Sequence, residues 1–380
     1  MFLIIVIISS GPRTRLGPKT QIMIADSLGF RQGLLRRKPG LARSAHAWYN
    51  WNMSTNLDVS LWAALLRRPD ASWRRRVLDV WTAVGIAGLI VFAWAEPLSG
   101  RLFVRLLSAG APPSLIRWGL RPLVMALRGV LVVEAFGYGY HRFFQHVGWL
   151  TRRSGTVRRN QMFHWLHHMV IYPIGRFYKR DTGYVASETG LALSWVVPAW
   201  IAAALAVWTH GWTIATLSFV FGIGAYAKFI VDHTHARFHL AKHPWMHSKY
   251  FHWLEDIHHL HHWDQANNFT IVHPLMDRLF GTYLAPETHR AEIAAVASDD
   301  ALTVSDATNW RYLLKEATPA EHAAFISQAQ RHPRSIRKIE LLIAALDRRL
   351  AVKPAEAEAL DLHARAQGLL ALVRPETAAA

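Results

Sequence analysis

Apolar residues dominate four long blocks, roughly Leu78–Ala95, Gly119–Tyr140, Gly190–Trp208 and Trp212–Val231. A helix rises about 1.5 Å per residue, so about 20 mainly apolar residues cross a bilayer. The pattern predicts an all-α, integral membrane protein with four transmembrane helices. The first, third and fourth blocks are clean. The second contains Arg121 and Arg128, so it starts near Leu123, tilts, or lets those side chains reach toward an interface. The opening run MFLIIVII is too short to span and carries its basic residues on the wrong side for a secretory signal. The Gly/Pro/Arg-rich stretch that follows reads as disordered to residue 52, with Met53 as the expected biological start.

After Tyr283 the apolar blocks give way to an Ala-rich segment with balanced acids and bases. Thr318-Pro319-Ala320-Glu321 is a helix start, with a capping hydroxyl, a proline at the first helical position and an acid at the third. Helices are predicted near 319–331, 334–351 and 354–372. The division is therefore an N-terminal extension (1–52), a membrane domain (53–285) and a soluble C-terminal helical tail (286–380).

Composition bears on chemistry mainly by exclusion. The chain has no cysteine, which removes disulfides, thiolate-bound zinc and iron–sulfur clusters, so a metal must sit on nitrogen or oxygen. The formal net charge of +17 raises nucleic acid as a partner, but the positive charge lies in residues 1–52 and beside the apolar blocks, where membrane topology accounts for it. Arg67, Arg68, Arg74, Arg75 and Arg76 precede the first block, and eight basic residues lie between the second and third. Thr209-His210-Gly211, between the third and fourth, has none. The termini and the histidine clusters are thus expected on the cytoplasmic side, in the inner membrane if the chain is bacterial. Arg101, Arg105 and Arg117 resist that assignment, and Ala111-Pro112-Pro113 marks a re-entrant or interfacial turn there.

Seventeen of the 22 histidines fall between Tyr140 and Tyr283. Two His-x-x-His-His motifs, His164/His167/His168 and His258/His261/His262, use offsets that share a helical face, so each is expected to turn three nitrogens toward one small volume. His235 and His239 repeat the four-residue offset after the fourth block. His141 and His146 are five apart, about 140° round an ideal helix, so both can ligate only where the helix loosens. Ten candidate nitrogens exceed the capacity of one ion, which makes two the natural count. His239 with His243 is a competing pair. His46, His289, His322, His332 and His363 read as surface histidines, and His210, His247, His252, His259 and His273 as extras.

These motifs resemble the fatty acid hydroxylase / sterol desaturase superfamily of membrane di-iron oxygenases. The likeness covers about Leu123 to Leu284, with HRFFQH, HWLHH and HHLHH as three histidine boxes followed by NNFT and DRLFGTY. Asp232-His233-Thr234-His235-x-x-x-His239 is similar to a run in fatty acid 2-hydroxylases. Thr270 stands where a glycine commonly follows the Asn-Phe pair. The resemblance implies His141, His146, His164, His167, His168, His235, His239, His258, His261 and His262 as metal ligands, two iron ions as cofactor, and O₂ as co-substrate. Zinc also suits such nitrogens in a purified sample. With no fused haem-binding His-Pro-Gly-Gly motif, electrons would come from a separate donor, a reductase with a ferredoxin or cytochrome.

The function so implied is O₂-dependent hydroxylation of a membrane lipid, on acyl chain or head group. Desaturation of a fatty acyl, sterol-like or carotenoid lipid is an alternative, and a histidine-rich zinc-binding transport or scaffold protein is one from another class. Trp149, Trp165, Tyr172, Phe177 and Trp253 are candidates to line the lipid path or form an interfacial belt.

Overall fold

A computed structural model describes residues 61–66, 73–94, 112–115, 119–146, 155–171, 191–296, 301–332 and 336–374. The readings of 1–52 as disordered and of Met53 as the start lie outside these residues, as do Trp149, Tyr172 and Phe177. Among the described residues the fold is all-helical.

The four apolar blocks lie on α1 (Trp73–Trp94), α2 (Arg121–Tyr140), α4 (Leu191–His210) and α5 (Ile214–Ala225). α3 (Gly155–Leu166), continued by a π-helical turn at His167–Ile171, carries the first His-x-x-His-His motif. Three continuous helical stretches are long and apolar enough to cross a membrane: Arg76–Trp94, Arg121–His146 and Ile214–Phe238. The last two overrun the predicted blocks because α2 continues as a π-helical turn, His141–His146, and α5 continues through Tyr226–Asp232, also π-helical, into α6 (His233–Phe238). Arg128, placed by its sequence inside an apolar block, does not reach for an interface. It is buried, and its guanidinium donates to the Ala93 carbonyl at the end of α1.

α2 packs against α1 and α5, and α5 also against α4. Glycines let α2 and α5 approach closely. A Cβ on Gly222 would lie 2.1 Å from the Ala126 carbonyl oxygen, and one on Gly129 would lie 2.4 Å from that of Phe219. Van der Waals packing at small residues is the main attraction between helices in a lipid environment, where burying apolar surface gains little. Exposed Leu78, Trp81, Val84, Val91, Leu205, Leu217 and Phe221 leave an apolar outer surface, as a membrane solvent requires.

Beyond α6 the chain forms α7 (Lys249–Trp263), the short α8 (Leu275–Leu279) and α9 (Arg290–Val296). Four longer helices follow: α10 (Val304–Lys315), α11 (Pro319–Arg331), α12 (Ile336–Val352) and α13 (Ala357–Val373). The predicted start at Thr318 is present as a capping box with Pro319 at the first position and Glu321 closing it. Thr303 and Asp306 make a second such box at α10, which the sequence reading missed.

The tail is not a detached appendage. Trp310, Leu313, Leu314, Phe325, Ile339, Leu342 and Leu362 share one core with Trp165, Leu166, Met169, Val170 and Ile171, the residues that surround the first His-x-x-His-His motif. Trp165, a candidate for the lipid path, instead packs its ring beside Tyr312 and Phe325. Arg158 on α3 donates from Nε and Nη2 to the two Glu321 oxygens, at 2.8 and 2.7 Å, and the Tyr312 hydroxyl donates to the same carboxylate. The acid–base balance of the tail concealed this. Its apolar positions face a helix more than a hundred residues earlier, a pairing that no local pattern reveals.

Two outcomes follow. Gly222→Val should abolish the monodisperse folded species in detergent, whereas Gly224→Ala, whose added Cβ meets nothing within 4 Å, should elute like the parent on size exclusion. Trp310→Ala should cost about 3–5 kcal/mol in denaturant unfolding and also weaken metal retention. Unchanged metal retention would show the tail to be independent of the histidine core.

Candidate metal centre

The loosening that His141 and His146 require is present. Residues His141–His146 form a π-helical turn, in which the hydrogen bond spans five residues, so positions i and i+5 fall on one side. His141 and His146 Nε2 are 3.1 Å apart, and His164 Nε2 completes a triangle at 3.0 and 2.9 Å from them. His168 Nε2 lies 3.0 Å from His164 Nε2, and the His261 ring centre lies 4.5 Å from that of His141. His141, His146, His164, His168 and His261 form the first nitrogen group, each with a ligand atom within 4.8 Å of the others.

His167, His235, His239 and His258 form a second group by the same measure. His262 joins it, its Nε2 at 3.1 Å from His258 Nε2, which is itself 3.1 Å from His239 Nε2. The groups adjoin, with the His168 and His262 ring centres 4.1 Å apart.

The expectation that each His-x-x-His-His motif serves one volume is corrected. His164 and His168 enter the first group and His167 the second, whereas His258 and His262 enter the second and His261 the first. Helix geometry accounts for the split: i and i+4 lie about 40° apart, but i+3 lies about 100° from i+4, so one motif straddles two centres. A further π-helical turn at His167–Ile171 adjusts the first motif. His243 stands outside both groups, with its ring against Phe251 and its Nδ1 accepting from the Trp245 backbone N–H. Among the extras, His252 is engaged by the Met246 carbonyl and Glu255.

The polarity of the first group follows from its outer contacts. A carbonyl only accepts, so His141 Nδ1 donates to Phe269 O at 2.5 Å and His261 Nδ1 donates to Asn267 O at 2.7 Å. A neutral imidazole carries one proton, so both Nε2 atoms present bare lone pairs. His261 Nε2 is buried and has no hydrogen-bond partner. An unmatched buried acceptor costs stability, and several converging lone pairs repel, unless a cation sits among them. The donor set therefore fits a metal ion. Five nitrogens in each group also exceed the four ligands of a closed structural zinc site.

Burial, with neighbouring imidazoles adding to it, holds His164, His167, His168, His239, His258 and His262 well below the usual histidine range. Burial does the same for His261. These rings are neutral at neutral pH, the form that ligates.

Some contributing residues carried weak sequence signals. Asp79, buried near the start of the first span, pairs with Arg142 at 2.9 Å. Glu134 is buried in α2 and accepts from the Tyr226 hydroxyl. An acid inside an apolar block is the signal available for each. No protein-family model, curated protein or solved structure matches the chain.

The pH dependence has a definite sign. The buried imidazoles take up protons less readily when folded, so below the ordinary value of about 6.5 the unfolded chain binds more protons. The stability of the metal-free chain is then complete above that pH and is lost as pH falls toward the depressed folded values. The denaturation midpoint should be flat from pH 8 to 7 and drop by pH 5.5. A midpoint that holds or rises would contradict neutral, buried ligands.

Proposed function

We propose that the chain is an O₂-dependent lipid hydroxylase of the membrane di-iron kind, the superfamily its histidine boxes resemble. The observation that carries this reading is the pair of adjoining groups, each of five imidazoles, at one end of the membrane-spanning helices. His141 and His235 lie near the ends of two such stretches, and Asp79 at the start of the first joins the same end. In the proposed topology Leu191–His210 is a fourth span. The basic residues at and before the start of α1, Arg67, Arg68, Arg74, Arg75 and Arg76, support a topology with the metal end on the cytoplasmic side. A lipid would enter from the bilayer with its head group near that interface.

Two irons, once bound, would supply with O₂ an oxidant strong enough to remove hydrogen from an unactivated C–H bond, which no side chain can do. The chain does the rest. His141, His146, His164, His168 and His261 would hold one ion, and His167, His235, His239, His258 and His262 the other. The Phe269 and Asn267 carbonyls keep the His141 and His261 protons on Nδ1, leaving Nε2 for the ion. Burial of the imidazoles keeps water from the site. The all-nitrogen donors suit iron, zinc, copper or nickel by type, and five nitrogens in each group exceed the four of a closed structural zinc site. Electrons come from a separate reductase with a ferredoxin or cytochrome.

One observation favours a transport reading: Arg128 and Glu134 are ionisable and buried in α2. Both are engaged within the protein, Arg128 with the Ala93 carbonyl and Glu134 with Tyr226, which weighs toward a structural use.

The test is lipid mass spectrometry of cells making the intact chain or a His167→Ala, His168→Ala double variant, with a competent reductase present. A lipid about 16 Da heavier, found only with the intact chain and only in air, is the expected result. A loss of about 2 Da would indicate desaturation. No change in lipid, with zinc tightly retained, would overturn the enzyme reading in favour of a zinc-binding protein.

A further inference from the structure

The two carbonyls that orient His141 and His261 belong to Asn267 and Phe269, the neighbours of Asn268. Asn268 adopts a left-handed backbone, φ 51°. Its amide group is spent on that turn: Nδ2 donates to the Ile257 and Leu284 carbonyls, and Oδ1 accepts from the Leu284 N–H at 2.8 Å. Its own N–H donates to the Thr282 carbonyl at 2.9 Å. The turn is therefore fixed on both sides of the pair of carbonyls.

Asp277, fully buried, fastens the following residues. It accepts from the Phe269 N–H at 2.8 Å, the Thr270 N–H at 2.9 Å, and the hydroxyls of Thr270 and Thr282. The Thr282 hydroxyl proton is committed to Asp277, so the Tyr138 hydroxyl, 3.0 Å away, donates to Thr282 Oγ1. Tyr138 in turn accepts from Arg142 Nη1 at 2.7 Å. Arg142 Nη2 donates to Asp79 at 2.9 Å. Every donor between Arg142 and Asp277 thus points the same way, from a cation toward a carboxylate, an order in which each bond strengthens the next. The chain links the first span to the loop that touches two imidazoles of the first group.

We propose that Asp277, the Arg142–Tyr138–Thr282 relay and its anchor Asp79 are positioning residues for the first nitrogen group, holding the 267–269 carbonyls where they fix the tautomers of His141 and His261. The inference rests on the groups binding metal and is independent of the O₂ chemistry. It explains why Thr270 is accommodated: its hydroxyl supplies one of the donors on Asp277.

The test is a titration of the full-length chain in detergent with Co²⁺ alone, followed by its visible spectrum and by the melting temperature of the metal-free protein. Asp277→Asn puts an amide N–H₂ against groups that are themselves donors. Tyr138→Phe is the milder change, since it removes one hydroxyl and keeps the ring on Phe269 and Phe280. For Asp277→Asn, one of two Co²⁺ binding steps should weaken by about 10–100-fold, and the spectrum of that ion should shift. Tyr138→Phe should weaken the same step by a smaller factor and lower the melting temperature less than Asp277→Asn does. Unaltered binding in both variants, or equal weakening of both steps, would overturn the proposal. A parent chain that takes up no Co²⁺ would instead overturn the metal reading beneath it, and a lipid spectrum without oxidation would leave it intact.

Discussion

Buried imidazoles set the terms on which this molecule folds. Ten imidazoles, nine of them buried and His146 half-buried, stand in two adjoining groups, with Nε2 atoms as close as 2.9 Å. Charged, they would repel in a medium that screens poorly. Neutral, His141 and His261 turn Nε2 lone pairs inward, where a cation satisfies them. Folding and metal uptake are on this account coupled: the helices create the groups, and ions remove the repulsion that the helices impose.

Much of the remaining architecture serves that constraint. π-helical turns at His141–His146, His167–Ile171 and Tyr226–Asp232 change the register of helices that an ideal period would aim elsewhere. Such turns lose regular hydrogen bonding and concentrate where function demands a particular side-chain direction. The Gly129 and Gly222 crossing holds α2 and α5 together far from the site, so the imidazoles they carry emerge from a stiff pair. The tail helices press on the other side, placing Trp310 and Phe325 in the core that carries Trp165 and Met169 between and beside the ligand histidines. In lipid, where apolar contact between spans gains little, the packing of the tail helices on α3 adds the hydrophobic contact that keeps the histidine helices in place.

Sequence made the helices, the apolar blocks and the histidine motifs legible because each rests on short-range spacing. It also made the defect at His141 and His146 legible, since five residues do not fit an ideal turn and something had to give. Division of the motifs between two groups was not legible: the offset that puts His164 and His168 together leaves His167 facing another partner, and that partner comes from α6 and α7. Nor were the tail's contact with α3 and the Asp79–Arg142 pair, which join residues 63 or more positions apart. Long-range pairing of this kind leaves no periodic trace, although an acid at Asp79 within an apolar block is a local anomaly that such a partner resolves.

If these imidazoles make one two-ion centre, a bound metal has nitrogen neighbours and a second metal close by. X-ray absorption at the iron edge on the iron-loaded, full-length protein tests it most directly, because it reads both the donor atoms and any second metal. The expected spectrum shows nearest neighbours dominated by imidazole nitrogen and a neighbouring iron within about 4 Å, a typical separation for two-metal sites. An isolated iron without a metal neighbour at saturating loading, or a shell dominated by carboxylate oxygen, would contradict it.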